Sequence, residues 1–143
     1  FEIPRQIENS PSDLVEGPRP RGQQLGDLAR AHVLLSTSCA EGLGLPLMEA
    51  SVLGLAVLAP TFSGIAADEP GRFVALPYSV DTPRLEPHFV YRAVGEWAYV
   101  DVPRAASVLA EVLQRLDRDE SVDSIIGAMK APATASSRPR DAR

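Results

Sequence analysis

Two short apolar runs with a helical segment between them constrain the fold of this chain more than any other feature. The runs are Val33–Leu35 and residues 55–59, and their uniform hydrophobicity is typical of strands buried on both faces. Pro46 stands at a favoured first helical position and Gly54 at a favoured terminator, so a short helix connects the runs. A crossover of this kind makes the strands parallel. We therefore predict a three-layer α/β fold with a mostly parallel sheet, in which both runs are neighbouring interior strands.

Proline density and apolar periodicity divide the chain into three parts. Residues 1–22 contain four prolines among polar residues, which predicts a lead-in loop. Residues 23–130 form the predicted domain, with a first helix from Gln23, a third strand at 73–76 and a loop-like insertion after Pro77. Residues 131–143 consist mainly of Ala, Ser, Pro and Arg without periodicity, which predicts a disordered tail.

Two further helices are predicted near the end of the domain. Pro103 opens the longer one, and a short helix follows from Val122. The apolar face of the longer helix, which we expect to pack on the sheet, is predicted to comprise Ala106, Leu109, Ala110, Leu113 and Leu116.

Charge and hydropathy exclude several classes of protein. Fourteen basic and nineteen acidic residues give a net charge of −5, so the basic surface of a nucleic-acid-binding protein is not expected. The longest apolar stretch, residues 43–59, is interrupted by Gly44, Pro46 and Glu49, so no transmembrane segment is predicted. With no apolar signal segment in residues 1–10 and a single cysteine, Cys39, we expect a cytoplasmic protein.

The segment with the clearest chemical content is E-G-L-G-L-P-L-M-E-A, residues 41–50, which joins a predicted strand to a predicted helix. Glycines at such a junction let the backbone approach a ligand, and the amides of a first helical turn attract phosphate. We expect Glu41 and Glu49 to flank one crevice at the carboxyl end of the strand. Amides for phosphate and carboxylates for hydroxyl groups suit a ligand made of sugar, diphosphate and ribose.

This segment resembles the paired-glutamate signature of retaining GT-B glycosyltransferases, the glycosyltransferase group 1 family. The similarity extends from residue 23 to residue 68, including a glycine loop at Ser63-Gly64-Ile65, and more loosely to the helix from Pro103. It implies a Rossmann-like domain that is the C-terminal, donor-binding half of the GT-B fold. Since 143 residues are too few for both halves, we expect an N-terminal acceptor-binding domain to lie outside this chain.

The resemblance also assigns roles to single residues. It implies that Glu41 is the catalytic residue beside the donor sugar and that Glu49 binds the ribose hydroxyls of the nucleotide. The backbone of Gly42, Leu43, Gly44 and Leu45 is implied to face the sugar and diphosphate. The implied reaction transfers a sugar from a nucleotide-sugar donor to an acceptor hydroxyl with retention, without a metal ion or cofactor. The acceptor is not specified.

Departures from the family pattern keep alternatives open. The family usually places an Arg and a Lys on the diphosphate. Arg19, Arg21 and Arg30 are available here, but none of them lies in the expected motif. The glutamate usual after the glycine loop is replaced, with Asp68 and Glu69 as displaced candidates. A catalytically inactive nucleotide-sugar-binding module or partner subunit is therefore the alternative function. A flavodoxin-like domain without a ligand is the third.

Other chemically active residues are better explained by packing. Cys39 has no neighbouring base that would activate a thiol, His32 ends a predicted helix, and Trp97 and Tyr99 suit a core as well as a sugar. Neither histidine has a second ligand at metal-binding spacing. We also expect residues 42–46 to be exposed, so that the isolated chain is marginally stable or self-associates.

Overall fold

The computed structural model describes residues 20–67, 71–82 and 95–129, which form a mixed α/β structure. The predicted tail and nearly all of the predicted lead-in loop lie outside these residues, and the first helix begins at Arg21, slightly earlier than Gln23. The first part of the chain forms the elements α1 (Arg21–Leu28), β1 (Val33–Leu35), α2 (Leu45–Val52), β2 (Ala56–Ala59), α3 (Gly64–Ala67) and β3 (Val74–Ala75). The remainder forms β4 (Tyr78–Asp81), β5 (Trp97–Val100), α4 (Val102–Leu116) and α5 (Val122–Ala128).

A parallel sheet of three strands, in the order β1-β2-β3, is the centre of the fold. β1 pairs with β2 in parallel, with Val33 opposite Ala56, which confirms the predicted parallel crossover. β2 also pairs with β3 in parallel, with Leu58 opposite Val74. β2 is buried along its whole length, as predicted for an interior strand. The prediction that β1 is also interior is wrong for the described sheet, where β1 is an edge strand and Leu35 is 45% exposed. A short apolar run in the sequence does not show whether the strand lies at the edge or in the centre of a sheet.

Helices pack on both faces of this sheet. Along β2, Ala56 and Leu58 point into a core formed with α4 and α5, whereas Val57 and Ala59 point into a core formed with α2 and α3. Opposite directions for successive side chains are the ordinary consequence of strand geometry. α1 contributes to the second core through Leu28. Among the described residues, none of the helices has both the length and the apolarity needed to cross a membrane.

The packing face of α4 differs from the predicted one. Asp101 caps this helix by accepting a hydrogen bond from the backbone amide of Arg104 at 3.2 Å. The buried residues are Ala105 and Val112, whereas Ala106 is exposed and Leu113 is 36% exposed. Leu109 and Leu116 pack against the core as predicted, but the centre of the buried face is rotated by about one residue from the predicted one. The predicted and the observed face of α4 are both apolar, so the sequence does not distinguish them, and packing against the sheet determines which face is buried.

This correction predicts unequal effects for two adjacent substitutions. Val112→Ala empties a site with no exposed surface and should lower the free energy of unfolding by about 2 kcal/mol. Leu113→Ala removes a larger but partly solvated side chain and should cost less than about 1 kcal/mol. Urea denaturation of both variants checks this, and a larger loss for Leu113→Ala would restore the face predicted from the sequence.

The segment after β3 contains an antiparallel ribbon where the sequence predicted a loop-like insertion. Strands β4 and β5 pair with Tyr78 opposite Val100 and Asp81 opposite Trp97. The backbone amide of Asp101 donates to the carbonyl oxygen of Pro77 at 2.9 Å and closes the ribbon at the start of α4. The two strands are far apart in the sequence and alternate in polarity only weakly, so local periodicity did not reveal them.

Candidate functional site

A cleft of about 500 Å³ lies where β1 ends and α2 begins. Its position follows from the topology, because loops that leave the carboxyl ends of parallel strands border a common crevice. One part of its wall is apolar and the other carries hydroxyl groups, a thiol and one carboxylate. The lining residues are Leu34, Leu35, Ser36, Thr37, Ser38, Cys39, Glu41, Pro46 and Leu47.

The turn into α2 is built on a left-handed glycine. Gly44 is the N-cap residue, with φ 62° and ψ 40°, and a Cβ there would lie 2.9 Å from Cδ1 of Leu47. Glycine is therefore required both by its backbone angles and by the space available. The helix begins at Leu45, so Pro46 occupies its second position, where the absent N–H costs no helical hydrogen bond.

The amides at this turn divide into those with an acceptor and those without one among the described residues. The amides of Leu47 and Met48 donate to the carbonyl oxygen of Gly44, at 2.9 and 3.1 Å. Within the described ranges, no acceptor is found for the amides of residues 42–45, and no side chain caps the helix. Gly42, Leu43 and Leu45 are exposed, whereas Gly44 is buried. Exposed amides at a helix start offer partial positive charge to an anion.

A second glycine loop fixes the backbone of Glu41. The amide of Gly64 and the hydroxyl of Ser63 both donate to the carbonyl oxygen of Glu41, at 2.9 and 3.0 Å. A Cβ at Gly64 would overlap the carbonyl oxygen of Gly42. The loop after β2 therefore packs directly against the loop after β1. The family resemblance indicated a glycine loop at this position but not its contact with Glu41.

The two glutamates of the signature occupy different surroundings. Glu41 is half-buried and lines the cleft, whereas Glu49 is not among the lining residues. Glu49 lies in the second turn of α2, because the helix begins at Leu45, so the prediction that both glutamates flank this crevice does not hold for the lining residues. Its carboxylate forms an ion pair with Arg21 of α1. The structure thus brings Glu41 together with Pro46 and Leu47 at the cleft and places Glu49 beside α1.

The ribbon contacts the loops that border the cleft, which sequence analysis missed. Its Ala98 amide donates to the carbonyl oxygen of Cys39 at 2.8 Å, and the Tyr78 hydroxyl donates to the carbonyl oxygen of Thr61 at 2.9 Å. The rings of Phe62 and Tyr78 meet edge to face with centroids 6.0 Å apart. The ribbon therefore joins the loop that follows β1 to the loop that follows β2. Proline-rich flanks had indicated only a loop there.

Basic residues are few around the cleft. None of the residues lining it is Arg or Lys. Of the three arginines considered for the diphosphate, Arg21 pairs with Glu49, Arg30 is exposed, and Arg19 lies outside the described residues. Asp68 and Glu69 lie outside them as well. Within the part of the chain that the structure describes, no three His, Cys, Asp or Glu side chains are grouped so as to hold a metal ion.

The turn before α2 can offer amide dipoles to an anion, although residues 42–45 are not among those that line the cleft. The cleft itself can offer a carboxylate and hydroxyl groups to a polyhydroxylated ligand. Apolar side chains of Leu35, Pro46 and Leu47 in the same cleft suit the C–H surface of a ring. Comparison with protein-family models, with curated proteins and with solved structures gives no match to this chain.

Proposed function

We propose that this chain binds a nucleotide sugar at residues 41–49 and is the donor-binding, Rossmann-like half of a retaining GT-B glycosyltransferase. One observation carries the proposal above all. Amides with no acceptor among the described residues lie at the start of α2, and Glu41, which directly precedes them in the chain, lines a cleft at the carboxyl end of a parallel strand. Phosphate groups bind at such helix starts, and carboxylates accept hydrogen bonds from sugar hydroxyls. The signature spelled by residues 41–50 supports the same ligand.

The proposed chemistry needs fixed dipoles more than it needs a nucleophile on the protein. The acceptor oxygen forms a bond to the anomeric carbon while the bond from that carbon to the phosphate oxygen breaks. The acceptor proton passes to the leaving phosphate. Because the acceptor attacks directly from the face that the phosphate leaves, the configuration is retained without a covalent sugar intermediate. Negative charge develops on the diphosphate during this step, and we propose that the amides of Gly42, Leu43 and Leu45 stabilise it. Glu41 binds the donor sugar as positive charge develops at its anomeric carbon.

Removing the second carboxylate should weaken donor binding. Glu49→Ala is expected to reduce nucleotide-sugar affinity about tenfold, because a charged acceptor for the ribose hydroxyls is lost. Titration calorimetry with UDP-glucose, GDP-mannose and ADP-glucose checks this on the full chain. Asp117→Ala, which removes an exposed carboxylate at the end of α4, is the matched control and should bind like wild type. Equal affinities for Glu49→Ala and wild type would remove Glu49 from the site.

A second candidate is a nucleotide-sugar-binding module without catalytic activity. The observation favouring it is that the cleft lining contains no Arg or Lys to neutralise a leaving diphosphate. The two candidates differ in turnover. An enzyme releases nucleoside diphosphate from the donor when the complete native protein is supplied with acceptor extract, and this release falls by about 10²-fold in Glu41→Gln. A module binds the donor equally well and releases nothing.

A further inference from the structure

The ion pair between Arg21 and Glu49 connects two helices at the edge of the candidate site. Arg21 is the first residue of α1, and Glu49 lies in the second turn of α2. Nη2 of Arg21 contacts Oε1 of Glu49. The Arg21 side chain is 56% exposed, but that of Glu49 is only 21% exposed. A carboxylate that has lost most of its contact with water is therefore held by an arginine that remains largely solvated.

This geometry leaves one carboxylate oxygen available. No hydrogen bond or ion pair to Oε2 of Glu49 is found among residues 20–67, 71–82 and 95–129. A free glutamate side chain samples several rotamers and loses that freedom when it binds a ligand. An arginine that holds one oxygen reduces this loss beforehand. The other oxygen can then accept hydrogen bonds from a ligand with little further loss of side-chain freedom.

We propose that Arg21 is the positioning residue of the nucleotide subsite: it holds Glu49 so that the free carboxylate oxygen accepts hydrogen bonds from the vicinal hydroxyls of a ribose. This inference rests on the proposed function, because it assigns Glu49 to the ribose of a nucleotide sugar. It adds a residue that the paired-glutamate signature does not contain. It also gives α1 a role in binding, although α1 contributes no residue to the cleft.

If the pair had a purely structural role, Arg21→Ala would lower the thermal midpoint and leave the affinity unchanged. Ion pairs with an exposed partner contribute little to folding, so we expect Arg21→Ala to leave the thermal midpoint nearly unchanged. Positioning acts on affinity instead. We expect Arg21→Ala to weaken nucleotide-sugar binding about fivefold and Arg21→Lys to recover part of it, since lysine supplies the charge without the planar fork. Arg30→Ala, which removes an exposed arginine just after α1, is the control and should bind like wild type.

A double-mutant cycle separates positioning from direct contact. Calorimetry is performed on wild type, Arg21→Ala, Glu49→Ala and the double variant, with the nucleotide sugar that binds best among UDP-glucose, GDP-mannose and ADP-glucose. If Arg21 acts through Glu49, its substitution causes no further loss in the Glu49→Ala background. The matching 2′,3′-dideoxynucleoside diphosphate should bind wild type and Arg21→Ala equally, because it has no hydroxyls for Glu49 to bind.

Three results would overturn the inference, and they are distinguishable. A fivefold loss that persists in the Glu49→Ala background, or with the dideoxy ligand, shows that Arg21 contacts the ligand itself. Weaker binding in Glu49→Ala but not in Arg21→Ala rejects the positioning role and leaves the proposed function intact. Absence of binding by every nucleotide sugar to a folded wild-type chain rejects the proposed function, and the inference with it.

Discussion

Replacing Glu41 with glutamine should lower kcat by about 10²-fold while the donor KM stays within about twofold of wild type. Glu41 lines the cleft, and its carbonyl oxygen is held by the Ser63-Gly64 loop, so its side chain starts from a fixed backbone. Its charge interacts with the donor sugar most strongly when the anomeric carbon becomes positive. Glutamine keeps the shape and loses the charge, so the loss falls on the transition state rather than on ground-state binding.

Release of nucleoside diphosphate by the complete native protein measures this effect. Asp117→Asn is the control, since it makes the same chemical change at an exposed position at the end of α4. The expected pattern differs from that of Glu49→Ala, which should act on donor KM. If Glu41→Gln raises KM and preserves kcat, Glu41 binds the donor without taking part in the chemical step.

Among substitutions that add a single methyl group to the site, Gly64→Ala should cause the largest loss of stability and affinity. A Cβ at residue 64 would overlap the carbonyl oxygen of Gly42. This oxygen belongs to the backbone, so no change of side-chain rotamer can relieve the overlap. Either the Ser63-Gly64 loop or the Glu41-Gly42 loop must move, and the hydrogen bond from the Gly64 amide to Glu41 breaks. We expect the free energy of unfolding to fall by about 3 kcal/mol and nucleotide-sugar affinity to fall at least about tenfold.

Gly26→Ala is the matched control. Gly26 lies within α1, and a Cβ there meets nothing within 4 Å. Alanine is the better helix former, so this variant should be stabilised by about 0.5 to 1 kcal/mol. Urea denaturation and calorimetry on both variants give the comparison. Wild-type stability and affinity in Gly64→Ala would mean that the two loops do not pack as described.

The parallel pairing of β1 with β2 was predictable because it depends on local signals. Two apolar runs, a proline at the start of α2 and a glycine after its end together specify a strand, a crossover and a second strand. Gly54 has φ 83°, as expected of a residue that ends a helix in the left-handed conformation. The left-handed turn at Gly44 is equally local, because glycine adopts this conformation without steric cost.

The features that sequence analysis missed depend on contacts between distant segments. The ribbon forms through pairing of β4 with β5 and through its bonds to Cys39 and Thr61. The edge position of β1 depends on which strands lie beside it, which its own residues do not encode. The pairing of Arg21 with Glu49 joins two helices that the sequence separates by a strand. Each of these is set by tertiary packing rather than by periodicity.

The most direct test of the central claim is to map nucleotide-sugar binding by amide chemical shifts on the full chain. Donor binding at the start of α2 predicts saturable shifts that are largest for Gly42, Leu43 and Leu45, whose amides have no acceptor within the described residues. Smaller shifts are expected for Glu41 and Glu49. If UDP-glucose, GDP-mannose and ADP-glucose all leave these amides unmoved, or if the shifts fall on α4 and α5 instead, residues 41–49 are not a donor site.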